Sequence, residues 1–305
     1  MKRDYINEKD WKPAEIESIL DLASEVKKRP ADYRQALPGK TLAMIFEKSS
    51  TRTRVSFEAG MFQLGGLAMF LSARDLQLGR GEPVSDTARV LSRYANGIMA
   101  RTYAHSTVED LARFATVPVI NGLSDLLHPC QALADFQTIR ERFGTTRGFP
   151  LCYVGDGNNV AHSLLVTGAK LGARVTVVTP AGFEPRPEVL AWASEAARQT
   201  GGSVAVTPFL EKGLAGARAV YTDVWASMGQ ESEAAARAAK FEPYRVTSRV
   251  FAMAEKDAIF LHCLPAHRGE EVEESVLESP ASAVFDQAEN RLHAQKALLI
   301  RLLAS

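Results

Sequence analysis

The sequence is poor in cysteine, has no excess of either charge and contains no long apolar run. Three cysteines among 305 residues, Cys130, Cys152 and Cys263, are too few and too dispersed for a disulfide framework or a paired zinc site, which fits a reducing compartment. Lysine plus arginine (36) balances aspartate plus glutamate (36). At zero formal charge the chain lacks the broad basic field that nucleic acids require, so small-molecule partners are expected. No window approaches the ~20 apolar residues of a membrane-spanning helix. The N-terminus, Met1-Lys2-Arg3-Asp4-Tyr5, runs into alternating charge rather than an apolar leader, so a cytoplasmic protein with no membrane association is expected.

What is present is length and apolar content, 46% hydrophobic, enough for two domains with separate cores and a cleft between them. Apolar residues at helical spacing (Ile16, Leu20, Leu22, Ala23, Val26) predict a helix over 9–28, and Thr41 to Phe46 reads as a buried strand. From Leu151 onward, strand candidates at 151–154, 173–178, 204–206, 219–221 and 259–261 alternate with helical segments, the rhythm of a parallel sheet covered by helices. The run 129–143 reads as a helix. Gly144-Thr145-Thr146-Arg147-Gly148 after it reads as the domain junction, giving an α/β protein of two domains, 1–144 and 145–286, each a parallel sheet flanked by helices. The final segment, 287–305, carries an apolar face (Leu292, Leu298, Leu299, Leu302, Leu303) that must dock.

After the strand at 41–46 comes Glu47-Lys48-Ser49-Ser50-Thr51-Arg52-Thr53-Arg54, then an apolar-periodic stretch ending at Gly65-Gly66. Ser49 or Ser50 is a natural helix N-cap and the glycines a stop. A bare cap with solvated arginines is one reading. Two arginines at the positive end of a helix run against the dipole preference, however, and imply an anion such as phosphate.

Several other segments have an ordinary reading each: a surface turn at Leu76-Gln77-Leu78-Gly79-Arg80-Gly81-Glu82, an ion-pair partner at Arg101, and a cap or core histidine at His128 before Pro129-Cys130-Gln131. Gly155-Asp156-Gly157-Asn158-Asn159-Val160 invites a dinucleotide reading, but Val160 stands where the third glycine belongs and the next strand ends at Thr179-Pro180 without a ribose-binding acid. No cofactor is expected. Thr222-Asp223 to Gly229 reads equally as a strand exit, and His262, Cys263 and His267 lack a further ligand at zinc spacing, so no metal is expected.

Ser50-Thr51-Arg52-Thr53-Arg54 resembles the carbamoyl-phosphate motif of the aspartate/ornithine carbamoyltransferase family, and Asp223-x-x-x-Ser227-Met228-Gly229 with His262-Cys263-Leu264-Pro265 resembles the acceptor pattern of its ornithine-specific members. The resemblance runs from about Asp10 to Leu302. It implies an active site in the interdomain cleft. Carbamoyl phosphate would be held by Ser50, Thr51, Arg52, Thr53, Arg101, His128, Pro129, Cys130, Gln131, Cys263, Leu264 and Arg291, and by Gln77 from a neighbouring subunit of a homotrimer or multiple of trimers. L-Ornithine would be held by Asn159, Asp223, Ser227, Met228 and Cys263, with the helix 287–305 joined to the first domain. Arg52, Arg101, His128, Asp223 and Cys263 would carry the chemistry. An acid at Asp223 suits a diamino acid, whereas a dicarboxylate acceptor would want arginines.

The implied reaction is carbamoyl transfer to the ornithine side-chain amine, giving citrulline and phosphate in arginine metabolism, with biosynthesis the expected direction and domain closure expected on binding. Putrescine or an acylated ornithine as acceptor, or a non-catalytic binding protein on the same fold, are the alternatives.

Overall fold

The structure, a computed structural model, describes residues 2–76, 81–226 and 234–304. The chain divides into two compact units, Met1–Gln137 with Asn290–Ser305, and Thr138–Glu289. Each contains one parallel sheet flanked by helices.

The first unit runs α1 (Pro13–Lys28), β1 (Thr41–Phe46), α2 (Thr51–Gln63), β2 (Leu67–Ser72), α3 (Val84–Tyr94), β3 (Gly97–Arg101), α4 (His105–Phe114), β4 (Val119–Leu123) and into α5 (Pro129–Phe143). Helix α1 begins at Pro13, not at Lys9 as apolar spacing alone predicts. Pro13 takes a first-turn position that needs no amide proton, Glu15 accepts from the Lys12 backbone N–H at 2.8 Å, and Asn7 accepts from the Asp10 N–H at 3.0 Å to hold the preceding residues in a turn. The strand order is β2-β1-β3-β4, all parallel. Ala43, Ile45, Ile98 and Ala100 of the two central strands pack against Ala88 of α3 and Val108 and Leu111 of α4. Strand β2 lies at the sheet edge and is only partly buried, so its residues carry a weak apolar signal.

The second unit runs β5 (Pro150–Val154), α6 (Asn159–Lys170), β6 (Arg174–Val178), α7 (Pro187–Thr200), β7 (Ser203–Thr207), α8 (Leu210–Leu214), β8 (Ala219–Thr222), α9 (Ala234–Phe241), α10 (Ser248–Phe251), β9 (Ile259–His262), α11 (Glu274–Leu277) and into α12 (Val284–Leu303). Its strands, in the order β7-β6-β5-β8-β9, are all parallel. Each expected strand agrees with its observed counterpart to within one residue at either end.

The two units part inside helices, at Gln137/Thr138 in α5 and at Glu289/Asn290 in α12, rather than at residues 144 and 287. The physical reason lies in the side chains: Phe143 at the end of α5 packs on Phe149 of the second unit, ring centroids 4.9 Å apart. Val284 at the start of α12 likewise lies in the second core, whereas Asn290 accepts from Lys27 Nζ of α1 at 2.8 Å. Among the described residues no helix is long and apolar enough to cross a membrane.

Both sheets have a point where the strand order reverses direction, between β1 and β3 in the first and between β5 and β8 in the second. Chains leaving adjacent strands there diverge, which opens a crevice at the carboxyl edge lined by loop and helix-start residues. Most of the sequence-predicted site residues that are described lie on the loops and helix starts that follow that edge.

Candidate active site

In the first unit, β1 leads through residues 47–50 into α2. Ser50 is extended (φ −162°, ψ 113°) and its Oγ accepts from the Thr53 N–H at 3.2 Å, so of the two candidate serines Ser50 is the cap. The remaining first-turn amides and the positive helix end face the carboxyl edge of the sheet. Thr51 is exposed, Arg52 half-buried and Thr53 buried. The two arginines of this turn separate: Arg54 pairs with Glu58 one turn on (3.0 Å) and lies 3.8 Å from the centroid of Phe70, a surface arrangement.

Arg101 is the buried last residue of β3, and its carbonyl accepts from Glu47 N–H at 2.9 Å. Glu47 Oε2 in turn accepts from Tyr103 N–H at 2.7 Å, which ties the loops after β1 and β3 together. His128 is buried before α5, where Pro129 takes the first helical position and the His128 carbonyl accepts from Gln131 N–H at 3.0 Å. The Cys130 thiol donates to the Asn121 carbonyl at 3.4 Å and burial pushes its pKa up to about 12, so this sulfur is a packed, inert group. Arg291 stands inside α12, which starts at Val284. Its Nη1 donates to Gln131 Oε1 (2.6 Å) and its Nη2 to Thr53 Oγ1 (3.3 Å), while Gln131 Nε2 donates to the buried Asp135 (2.7 Å).

The electrostatics follow from this convergence. His128 is held well below the usual 6.5, first by burial and then by the charges of Arg291, Arg101 and Arg52. Three guanidinium groups acting on one buried neutral imidazole, beside a helix N-terminus and the Ser50 and Thr53 hydroxyls, make a site that wants an anion with several acceptor oxygens.

In the second unit, β5 leads into Gly155–Asn159. A Cβ on Gly157 would lie 2.3 Å from Pro185 N and 2.5 Å from Phe183 O. The glycine is therefore required by the passing 183–185 backbone, with no dinucleotide needed to explain it. Asn158 caps α6: its Oδ1 accepts from Val160 N–H (2.9 Å) and Ala161 N–H (3.2 Å), and its Nδ2 donates to Asp223 Oδ2 (2.9 Å). Asp223, buried directly after β8, also accepts from the Cys263 thiol at 3.1 Å. A buried carboxylate met by neutral donors favours a cationic partner such as an ammonium.

Cys263 follows β9 and is half-buried. Leu264 adopts φ +58°, rare for a side chain bearing a Cβ, ahead of a cis peptide to Pro265, and its N–H donates to His262 Nδ1 at 2.8 Å. The other ring nitrogen of His262 stands 3.3 Å from Glu271 Oε1, both side chains fully buried, and Glu271 Oε1 accepts from His267 N–H at 2.6 Å. Asp223, His262 and Cys263, and separately His267, Glu270 and Glu271, stand close enough to hold a cation. In the first group His262 Nδ1 and the Cys263 thiol are already engaged in the hydrogen bonds just described.

The structure thus gathers Ser50, Thr53, Gln131 and Arg291, with Arg52 and Arg101 acting on His128, in the first unit, and Asp223 and Cys263 in the second. Gln77, Ser227 and Met228 lie outside the described residues. Asn159 is the half-buried first residue of α6, while its neighbour Asn158 makes the contact to Asp223. Sequence reasoning missed Asn158, although an asparagine before an apolar run is itself a cap signal. It also missed the buried Glu271, for which a single sequence carries no cue.

Residues 3–141 match the family model described as aspartate/ornithine carbamoyltransferase, carbamoyl-P binding domain, and residues 147–302 match that described as aspartate/ornithine carbamoyltransferase, Asp/Orn binding domain. The chain is similar to a protein named ornithine carbamoyltransferase from Thermococcus kodakarensis, 56% identical over 97% of this chain and 95% of that one. It is equally similar, at 56% identity over 97% of this chain and 95% of the relative, to one named ornithine carbamoyltransferase, anabolic, from Pyrococcus furiosus. The solved structure of ornithine carbamoyltransferase from Pyrococcus furiosus superposes with a TM-score of 0.96 at 56% identity, covering 99% of this chain and 97% of that one.

Proposed function

Since the chain belongs to the aspartate/ornithine carbamoyltransferase family, we infer that it is an ornithine carbamoyltransferase, transferring the carbamoyl group of carbamoyl phosphate to the side-chain amine of L-ornithine in arginine biosynthesis. The products are L-citrulline and phosphate. The observation that carries the choice of acceptor is Asp223, a buried carboxylate whose two oxygens accept from the neutral donors Asn158 and Cys263. An ammonium group supplies the missing charge there and a dicarboxylate does not.

On the donor side, we propose that Ser50, Thr51, Arg52, Thr53, Arg101 and Arg291 bind the phosphate, that His128 and Gln131 hold the carbamoyl oxygen and nitrogen, and that backbone groups of Pro129, Cys130, Cys263 and Leu264 complete the cradle. Expelling phosphate from a tetrahedral species builds charge on oxygen, which fixed guanidinium groups stabilise without reorganisation. A neutral His128, as its depressed pKa implies, can donate a hydrogen bond to the carbonyl oxygen without adding a fourth positive charge to the site. On the acceptor side, Asn159, Ser227 and Met228 would position the amino-acid end of ornithine, and Asp223 with Cys263 its amine.

The side-chain amine of ornithine resembles lysine, with an unperturbed pKa of about 10.4, so only ~0.04% is neutral at pH 7. Asp223 would receive the ammonium form and hold it in place until the proton leaves, with the departing phosphate as the acceptor of that proton. No covalent enzyme intermediate is needed.

The finer readings are a homotrimer, or a multiple of trimers, acting in the cytoplasm, with Gln77 reaching the site of a neighbouring subunit. Exposed apolar side chains, Val55 and Phe62 on α2, Leu67 on β2, and Val90 and Tyr94 on α3, support contact with another copy. Light scattering coupled to gel filtration tests the assembly. The activity is tested by citrulline formation from carbamoyl phosphate with ornithine, putrescine, N-acetylornithine and aspartate offered in parallel. Ornithine should be the preferred acceptor by a wide margin, and turnover with none of them would sink the reading.

A further inference from the structure

Arg291 is held by more than the two contacts already described. The carboxamide of Gln295, one turn further along α12 and fully buried, lies between Arg291 and Ser56. In the orientation that pairs both of its ends, Gln295 oxygen accepts from Arg291 Nε (3.2 Å) and Nη2 (3.0 Å), and its nitrogen donates to Ser56 Oγ (2.6 Å). Ser56 Oγ then donates to the Thr53 carbonyl at 3.2 Å, while Arg291 Nη2 donates to Thr53 Oγ1 at 3.3 Å and Ser50 Oγ lies 3.2 Å from the same oxygen. Two donor paths thus close a ring from Arg291 to Thr53, one direct and one through Gln295 and Ser56. That ring fastens the guanidinium to the first turn of α2, where the anion site begins.

The chemical character of the ring decides its use. The acceptors so placed around Arg291, namely Gln131, Thr53 and Gln295, are all uncharged. A carboxylate in any of these places would hold the guanidinium more strongly and would also cancel its field. An amide fixes the geometry and leaves the charge to act on whatever anion enters, consistent with the way Arg291 heads the charges that hold down the His128 pKa.

We propose that Gln295 is a positioning residue for the donor substrate: it locks Arg291 onto α2 through an amide that brings no opposing charge of its own, so that the arginine is pre-aimed at a phosphate dianion. The proposal rests on the carbamoyl-transfer reading for its substrate, but not for its anion.

The test compares Gln295→Glu and Gln295→Met with the intact wild-type enzyme. Gln295→Glu keeps two acceptors for Arg291, and Ser56 can turn its hydroxyl from the Thr53 carbonyl to the new carboxylate, so the link from Arg291 to Ser56 can re-form with a charge added. The expected result is a rise of at least tenfold in KM for carbamoyl phosphate and in the inhibition constant of inorganic phosphate. KM for ornithine, measured at saturating carbamoyl phosphate, should stay within about twofold. Gln295→Met, which keeps the volume and removes the strong acceptor, should raise the same two constants by a smaller factor, because Arg291 keeps its charge and loses only its aim. Thermal unfolding of both variants shows whether the fold survives.

Gln295→Glu with unchanged constants for carbamoyl phosphate and phosphate would overturn the proposal. So would equal losses in both substrates' KM and in melting temperature, since those describe a packing role. Calorimetric titration with inorganic phosphate needs no turnover. Were the enzyme inactive toward every amine, weaker phosphate binding by Gln295→Glu would still support the clamp, and equal binding would still refute it.

Discussion

Replacing Asp223 by asparagine removes one negative charge from the second unit while keeping nearly the same shape. In the wild type, Asp223 accepts from Asn158 at 2.9 Å and from Cys263 at 3.1 Å. An asparagine can preserve the first bond through its oxygen and turn its nitrogen toward the sulfur, so the fold should tolerate the change. What disappears is the charge-assisted bond to the incoming ammonium. Such a bond contributes about 1.5–3 kcal/mol. A Coulomb estimate for unit charges about 4 Å apart at an effective dielectric of about 20 gives an upper limit near 4 kcal/mol. At about 1.4 kcal/mol per decade, kcat/KM for ornithine should fall roughly ten- to a thousandfold.

Carbamoyl-phosphate binding provides the internal control. The groups argued to hold its phosphate belong to the first unit, so Asp223→Asn should leave the affinity for inorganic phosphate within about twofold. The assay is initial-rate citrulline formation with ornithine varied at saturating carbamoyl phosphate, paired with phosphate titration. A loss smaller than threefold would refute the argument that this carboxylate recognises the amine. A comparable loss in phosphate affinity would show instead that the substitution disturbs the enzyme generally.

Other outcomes follow from the same geometry. Cys263→Ala removes the thiol that donates to Asp223 and should change the pH dependence of kcat/KM for ornithine; a superimposable profile would count against a role in tuning the amine. In the free enzyme, labelled His128 should titrate well below 6.5 and move upward when phosphate offsets the three guanidinium charges, and an ordinary pKa in the free enzyme would contradict the convergence described. The sign for stability follows: an unfolded histidine takes its proton near 6.5 before the folded one does, so this site costs no stability above that pH and an increasing amount as pH falls toward the folded value. Ser50→Ala should lower unfolding free energy by about 1 kcal/mol through loss of the α2 cap, measurable by urea denaturation, and should weaken phosphate binding as well. Gly157→Ala, whose new methyl would meet the 183–185 backbone, should destabilise by about 2 kcal/mol or more and impair ornithine more than carbamoyl phosphate.

Much of this protein is legible in one sequence because its information is local. Strands β5, β8 and β9 of the second sheet are short runs buried along nearly their whole length, which makes their apolar signal continuous. The edge strand β2 lacks it because one side faces outward. The phosphate turn is legible for a similar reason: cap, hydroxyls and arginines fall within five consecutive residues after a strand. Even the outward role of Arg54 could be read from Glu58 four positions on.

Tertiary structure decided what depends on partners far apart in the chain. That Arg291 meets Gln131 and Thr53, that Gln295 reaches Ser56, and that Asn158 reaches Asp223 are contacts across scores of residues. The glycines at 144 and 148 do not mark a unit boundary either, since Phe143 before them packs on Phe149 and the units part earlier, inside α5. Side-chain type and local spacing fix which groups can bind an anion or an ammonium. Only the reversal of strand order in each sheet brings those groups from separate loops to one edge, because adjacent parallel strands must send their following segments apart.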